Sequence, residues 1–476
     1  MVTILRLEMN ETQPVSEWGG IGSTTSGLHD HIDVYDHHLS QSSKSLLNFH
    51  PRTGNAMLLA QLGDDIKIYP KSAEYNRDNS LHAAKLSADQ VINGVPCSKG
   101  TRVYFSSRGK LIKGTLSSDK KIQGIESAKR TEVHFNSIGL LTTATLSGNQ
   151  KIGGVVFSKG TIINLREDGA VERAILGANQ LIEGYTYAKA HAVSFNPDGK
   201  CISGTIAAAQ NIQGMEYPKG ASVKFYDSGE LLRAELSMPL VIKGIQFGKG
   251  AIVDFKRDGE LLRAKLSTDQ KVFDVDCCAD TWIEFHPNGK IKRAVPSSDQ
   301  LIRGIKCLAG VEVEFYPNGR WMRAVLAADQ VIQDIVCARG TEVYFGWDGK
   351  LYEAKLASDQ KIQGIECAGG TEIELYASGK LKRAILASDQ EVDKIMCAGG
   401  KEVFLSEGGR LLMATLSMNQ IVRGVSFPIF TRIRLREDGS LKGVVLSRAC
   451  SIRSVSYYAG TNLFFDGTGG IIENAR

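Results

Sequence analysis

The chain repeats itself every thirty residues. Glycine recurs at Gly319, Gly349, Gly379 and Gly409, and the same ruler runs without insertion or deletion from Gly109 to Gly469, with Asn79 one step earlier. The stretch Gly349–Lys380, GKLYEAKLASDQKIQGIECAGGTEIELYASGK, is representative of the copies. A strict period constrains the fold more than length does, because one copy can bury its apolar face only against its neighbours. The 476 residues are therefore expected to form one array and not three independent domains.

Within each copy the apolar residues fall in columns. Two stand before the glycine at a spacing of two, as in Val103/Phe105, Val343/Phe345 and Ile373/Leu375, which places both on one side of a strand. After the glycine comes a strand ending in Ala-x-Leu, as in Ala354/Leu356 and Ala384/Leu386. An aliphatic pair bent around glycine follows, Ile362-Gln363-Gly364-Ile365 in this copy. It leads to a column holding Cys97, Cys277, Cys307, Cys337, Cys367 and Cys397, filled elsewhere by Phe157, Tyr187, Tyr217, Phe247, Phe427 and Tyr457. A position that accepts Cys, Phe or Tyr reads as core, and no second ligand stands at metal-binding spacing beside it. So many free thiols favour a reducing compartment. Turn signals separate the columns: Asn318-Gly319, Asp348-Gly349, and Ala-Gly-Gly at 368–370. Helical periodicity is missing, so the fold class is all-β.

Counting strands decides between arrangements. Three blocks per copy, roughly Lys350–Leu356, Lys361–Cys367 and Thr371–Leu375, would reverse strand direction at every copy of a flat meander. Identical columns in every copy then require copies stacked in parallel. The expectation is a three-faced β-solenoid of about thirteen copies over residues 79–470. If the bend at Gly364-Ile365 instead splits its block in two, each copy has four strands and an elongated antiparallel β-hairpin meander is the alternative. The phrases FHPNGKIKRA (285–294), FYPNGRWMRA (315–324) and FNPDGK (195–200) resemble units of MORN-type and YwqK-type repeat proteins. That resemblance implies β-hairpin arrays and a protein-interaction or membrane-apposed scaffold, not an enzyme.

The flanks differ from the array. Residues 1–48 form a polar segment in which His29, His31, His37 and His38 alternate with Asp30, Asp33 and Asp36, a ligand set suited to a divalent metal or simply a polar leader. Residues 49–78 read as a degenerate capping repeat with Gly54 out of step, and 471–476 as a C-terminal tail. The diverged Ser447–Tyr458 segment and the Phe464-Phe465 pair read as a second cap. The start of the chain lacks a signal-peptide pattern and no apolar run is long enough to span a bilayer, so a cytoplasmic location is expected. Export by a route without a cleaved signal is compatible with the same features.

Candidate functional residues lie on outward columns. Arg233, Arg263, Arg293, Arg323 and Arg383 share one place after the glycine, Lys350 and Lys380 follow the glycine directly, and Glu342 and Glu372 recur before it, with Glu284, Glu314 and Glu374 nearby. Opposite charges in columns relieve stacking repulsion, or present a charged ladder to a macromolecular partner. A protein is the expected partner, with an acidic polymer or membrane head groups as further candidates. A net charge of +5 spread over this length does not indicate nucleic acid, and no periodic aromatic accompanies the basic column. Asp359-Gln360 and its copies read as corner residues, turn-forming Asp beside stacked Gln amides, in preference to calcium ligands. His82, His134, His191 and His286 read as surface or turn residues. No nucleophile, P-loop or zinc-hydrolase motif stands in a usable setting, and no cofactor is expected. The expected function is a non-catalytic scaffold or binding protein. The alternatives are a carbohydrate-active β-helix enzyme and a secreted effector acting through protein binding.

Overall fold

The computed structural model describes residues 66–472. Every copy in it has four strands, and Gln363-Gly364 is where the fourth arises. Both residues have positive φ, 49° and 92°, which makes a two-residue type I′ turn. The block expected as one strand is therefore a short hairpin, Gln360–Ile362 against Ile365–Cys367. Thirteen such two-stranded pairings recur. The other two strands of each copy, Glu342–Phe345 and Leu351–Lys355 in one case, pair with each other and with the equivalent strands of the neighbouring copies. Together they form a 28-stranded sheet running from Glu74–Tyr75 to Ile471–Ile472.

Every pairing along this sheet is antiparallel, and its two end strands are not joined to each other. The parallel three-faced solenoid is thus replaced by an open antiparallel meander of hairpins. An even number of strands per copy returns the chain to the same direction and the same face, so identical columns need no parallel stacking.

One spacing in the columns needs the structure to explain it. Leu351 and Ala354 are both buried although three residues apart, which a flat strand forbids. The register steps between the pairs Tyr344–Glu353 and Phe345–Leu351, leaving Tyr352 as an extra bulged residue. The bulge turns both Tyr352 and Glu353 outward and returns Ala354 to the core. The same step recurs at Lys382 between Leu381 and Arg383. The main hairpin closes tightly: Gly349 N donates to Gly346 O at 2.8 Å, and Gly349 takes φ 83°, the left-handed conformation that glycine adopts without cost.

The short hairpins cover one face of the sheet and the core lies between. Val343, Phe345, Leu351 and Ala354 from the sheet, with Leu356 just past its strand, meet Ile362, Ile365 and Cys367 from the hairpin, all in one continuous cluster. Burial pushes the thiols of Cys337 and Cys367 up to about 11 and those of Cys97, Cys277, Cys307 and Cys397 up to about 12. These are packing residues, protonated and inert at neutral pH.

The corner residues act on backbone. Gln360 Nε2 donates to Val336 O at 2.8 Å and its Oε1 accepts from Val336 N at 3.0 Å, so the amide pairs with the preceding hairpin as a strand residue would. The Gln amides thus pair with backbone instead of stacking on one another. Asp359 accepts from Gly369 N at 2.7 Å, and Asn149 accepts from Lys159 N at 2.9 Å in the same way. An acceptor oxygen is all the site requires, which accounts for Asn replacing Asp in that copy. Near the C-terminus the pattern continues: Cys450–Ile452 pairs with Val455–Tyr457 as an ordinary short hairpin, and Asn462–Phe465 adds to the sheet. Among the described residues no helix is long and apolar enough to cross a membrane.

Candidate interaction face

The sheet's second face, away from the hairpins, carries the charged columns. Cross-strand register threads them into one row: Lys224, Arg233, Asp254, Arg263, Glu284, Arg293, Glu314, Arg323, Tyr344, Glu353, Glu374 and Arg383, each opposite the next. Opposed residues in an antiparallel pair lie roughly 4.5–5.5 Å apart, so neighbouring charges along the row interact directly. The five arginines expected as a ladder are brought together here.

Each of them is also engaged. Asp254 lies between two guanidiniums, with Arg233 Nε at 2.5 Å and Arg263 Nε at 2.8 Å, and its side chain is only 5% exposed. Arg263 further lies over the Trp282 ring at 4.2 Å. Burial alone would raise the Asp254 carboxyl, but the hydrogen bonds from the two arginines hold it below the ordinary range. Arg293 and Arg323 share Glu314 at 3.4 and 3.0 Å, Arg323 reaches Glu342 at 2.7 Å, and Arg383 joins Glu374 at 2.7 Å and Glu402 at 3.2 Å. Glu342 also accepts the Tyr344 hydroxyl, which with Arg323 keeps its pKa low. Glu372 stands 3.6 Å from Arg383. The ladder is therefore a balanced lattice rather than a basic stripe.

The lysines after the glycine lie at the sheet turns instead. Lys350 Nζ donates to Ala377 O of the next copy at 3.0 Å, as Lys290 does to Asn318 O at 2.9 Å, while Lys380 is exposed. The candidate metal residues His29, His31, His37 and His38 lie outside the described residues. Among the described residues no group of three or more His, Cys, Asp or Glu is placed to hold a metal ion.

Sequence reading missed a second set of contacts. In several copies the residue after the inward Phe or Leu reaches a backbone carbonyl one copy onward: Tyr316 to Phe345, Tyr376 to Leu405 and His286 to Phe315, at 3.0, 2.8 and 2.8 Å. His286 is therefore a buried strap and not a surface residue. The signal was present in the column, since Arg166, Asn196, Tyr226, His286, Tyr316 and Arg436 are all hydrogen-bond donors. Also missed were exposed apolar residues on the outward side of the short hairpins, with Leu181 at 67%, Leu301 at 70%, Val331 at 66% and Ile421 at 72%.

No family model matches the sequence, and no curated protein matches it. Among solved structures the chain is similar to one in the crystal structure of TcdB2-TccC3, with 11% identity and a TM-score of 0.12. The match covers 83% of this chain and 24% of that one, so this chain spans about a quarter of its length. At that score the likeness is too slight to transfer a fold or a function.

Proposed function

We propose that the chain is a non-catalytic β-repeat scaffold that holds a macromolecular partner, a protein in the first instance, along its outer sheet face. The observation that carries this reading is the unbroken cross-strand row from Lys224 to Arg383, in which every copy presents its side chains in the same register. A partner laid across the strands meets chemically similar groups at each step, which multiplies weak contacts without any deep site. Because the arginines are already paired, the row supplies register and solubility, and affinity comes from groups such as Tyr352 that stand free of the lattice. The resemblance to MORN-type and YwqK-type units agrees with such a role.

A photo-crosslinking residue at position 352 on this face, compared with one at 361 on the short-hairpin surface, tests the reading. The expected result is a defined macromolecular adduct at 352 and none at 361. Robust glycan cleavage that is lost in an Asp359→Asn variant would overturn it in favour of a carbohydrate-active enzyme.

A further inference from the structure

The outer row changes character before Lys224. Its preceding members are Asn164, Arg173, Ser194 and Ser203. Arg173 occupies the same column as Arg233, Arg263, Arg293, Arg323 and Arg383, but its opposed neighbours are Asn164 and Ser194. The repeat supplies its own control. Each of those five arginines is tied to an acid one register step away, Asp254, Glu314 or Glu374, and here that step holds neutral residues. Arg173 is exposed and makes no ion pair among the described residues.

A cleft of about 480 Å³ opens over this stretch, lined by Arg173, Asn164 and Ser194 and by a second arginine, Arg166. Arg166 Nη2 donates to Phe195 O at 2.6 Å, the strap described above, which fixes the guanidinium. Its Nη1 is buried and has no acceptor among the described residues. A buried N–H of a charged group left unpaired is costly, and an anionic oxygen would relieve it. Glu172 and Asp227 also line the cleft, Asp227 accepting from Asn196 Nδ2 at 3.4 Å. Two acids beside two arginines disfavour a polyanion and suit a ligand that joins one anionic group to hydroxyls.

We propose that this cleft is a binding site for a small polyhydroxylated ligand bearing a single carboxylate or phosphate, anchored by Arg173 and Arg166. The site is independent of the scaffold reading, since it needs no macromolecular partner. Isothermal titration of the full-length protein with glucuronate, glucose 6-phosphate and neutral glucose tests it. One or both anionic probes are expected to bind at one site per chain, and glucose not to bind; which anion binds identifies the source of the charge. In R173Q the affinity should fall roughly tenfold or more, the loss of a charge-assisted hydrogen-bond anchor. In R339Q, a surface arginine far along the chain, it should be unchanged, with matching circular dichroism spectra showing that both variants fold. Absence of saturable binding by either anion up to roughly 10 mM, where even a weak anchor registers, would overturn the proposal. So would equal binding by wild type and R173Q.

Discussion

At the scale of single residues, the copy around Tyr187 shows how the core absorbs substitution. Tyr187 takes the column that Cys fills elsewhere and is almost fully buried. Where most copies place alanine on the facing strand, this one has Gly204, and where most place leucine it has Cys201. A Cβ at 204 would meet the Tyr187 ring at 2.3 and 2.5 Å and Val193 at 3.0 Å. Gly204→Ala should therefore destabilise the protein by about 1–3 kcal/mol, an overpacking cost read in urea unfolding, whereas the double variant Gly204→Ala/Tyr187→Cys should recover most of it. The outer face offers the opposite sign. Burial, then the like charges of Glu372 and Glu374, raise the Glu353 carboxyl above its ordinary value. A carboxyl whose folded pKa is raised costs stability while ionised, and the cost disappears as pH falls through that folded value. Glu353→Gln should thus raise stability by roughly 0.2–1 kcal/mol at neutral pH. The gain should shrink toward zero in acid, as a melting-temperature series against pH would show. A gain that persisted unchanged at low pH would rule out charge repulsion as its cause.

At the scale of elements, the short hairpin is both the part hardest to read and the part that couples neighbours. Gln360 clips it to the previous hairpin through two backbone hydrogen bonds, and Gln390 does the same with Glu366. Gln360→Ala should cost about 1–2 kcal/mol and speed amide hydrogen exchange at Val336, whose N–H loses its acceptor. Unchanged protection at Val336 would show that the clip is dispensable. The core columns were legible in the sequence because Val343 and Phe345 repeat as apolar residues in every copy and Cys367 in every copy but the one with Ser127, and the turn at Asp348-Gly349 because glycine is needed there. The strand count was not legible from Gln363-Gly364, since glutamine is an uncommon first residue of a type I′ turn. The first copy carries the plain signal, Asn93-Gly94, both at positive φ, and that dipeptide would have given four strands and the meander. The outward charges were legible as a column, but their pairing was not. It depends on which residue of the next strand stands opposite, as Asp254 does to both Arg233 and Arg263.

At the scale of the whole array, thirty residues form the indivisible unit. Excising residues 341–370 joins Gly340 to Thr371, two residues that follow one another in type if not in number. Arg323 would then face Glu372 and Glu374 in place of Glu342 and Tyr344, and the sheet would lose two strands without changing direction. Such a deletion should keep a strand-rich circular dichroism spectrum and a cooperative melt. Excising only 341–355 removes two sheet strands and leaves their short hairpin with nothing to cover, and the melt should broaden or vanish. If both deletions behave alike, the copy is not the unit of stability. The antiparallel meander also bears on how the protein is made. Glu353 pairs with Glu374, and the Tyr376 strap reaches Leu405, so each contact closes within about one copy of chain. A nascent polypeptide can therefore complete each hairpin pair soon after it leaves the ribosome, before the rest is translated, and no strand waits unpaired for a distant partner.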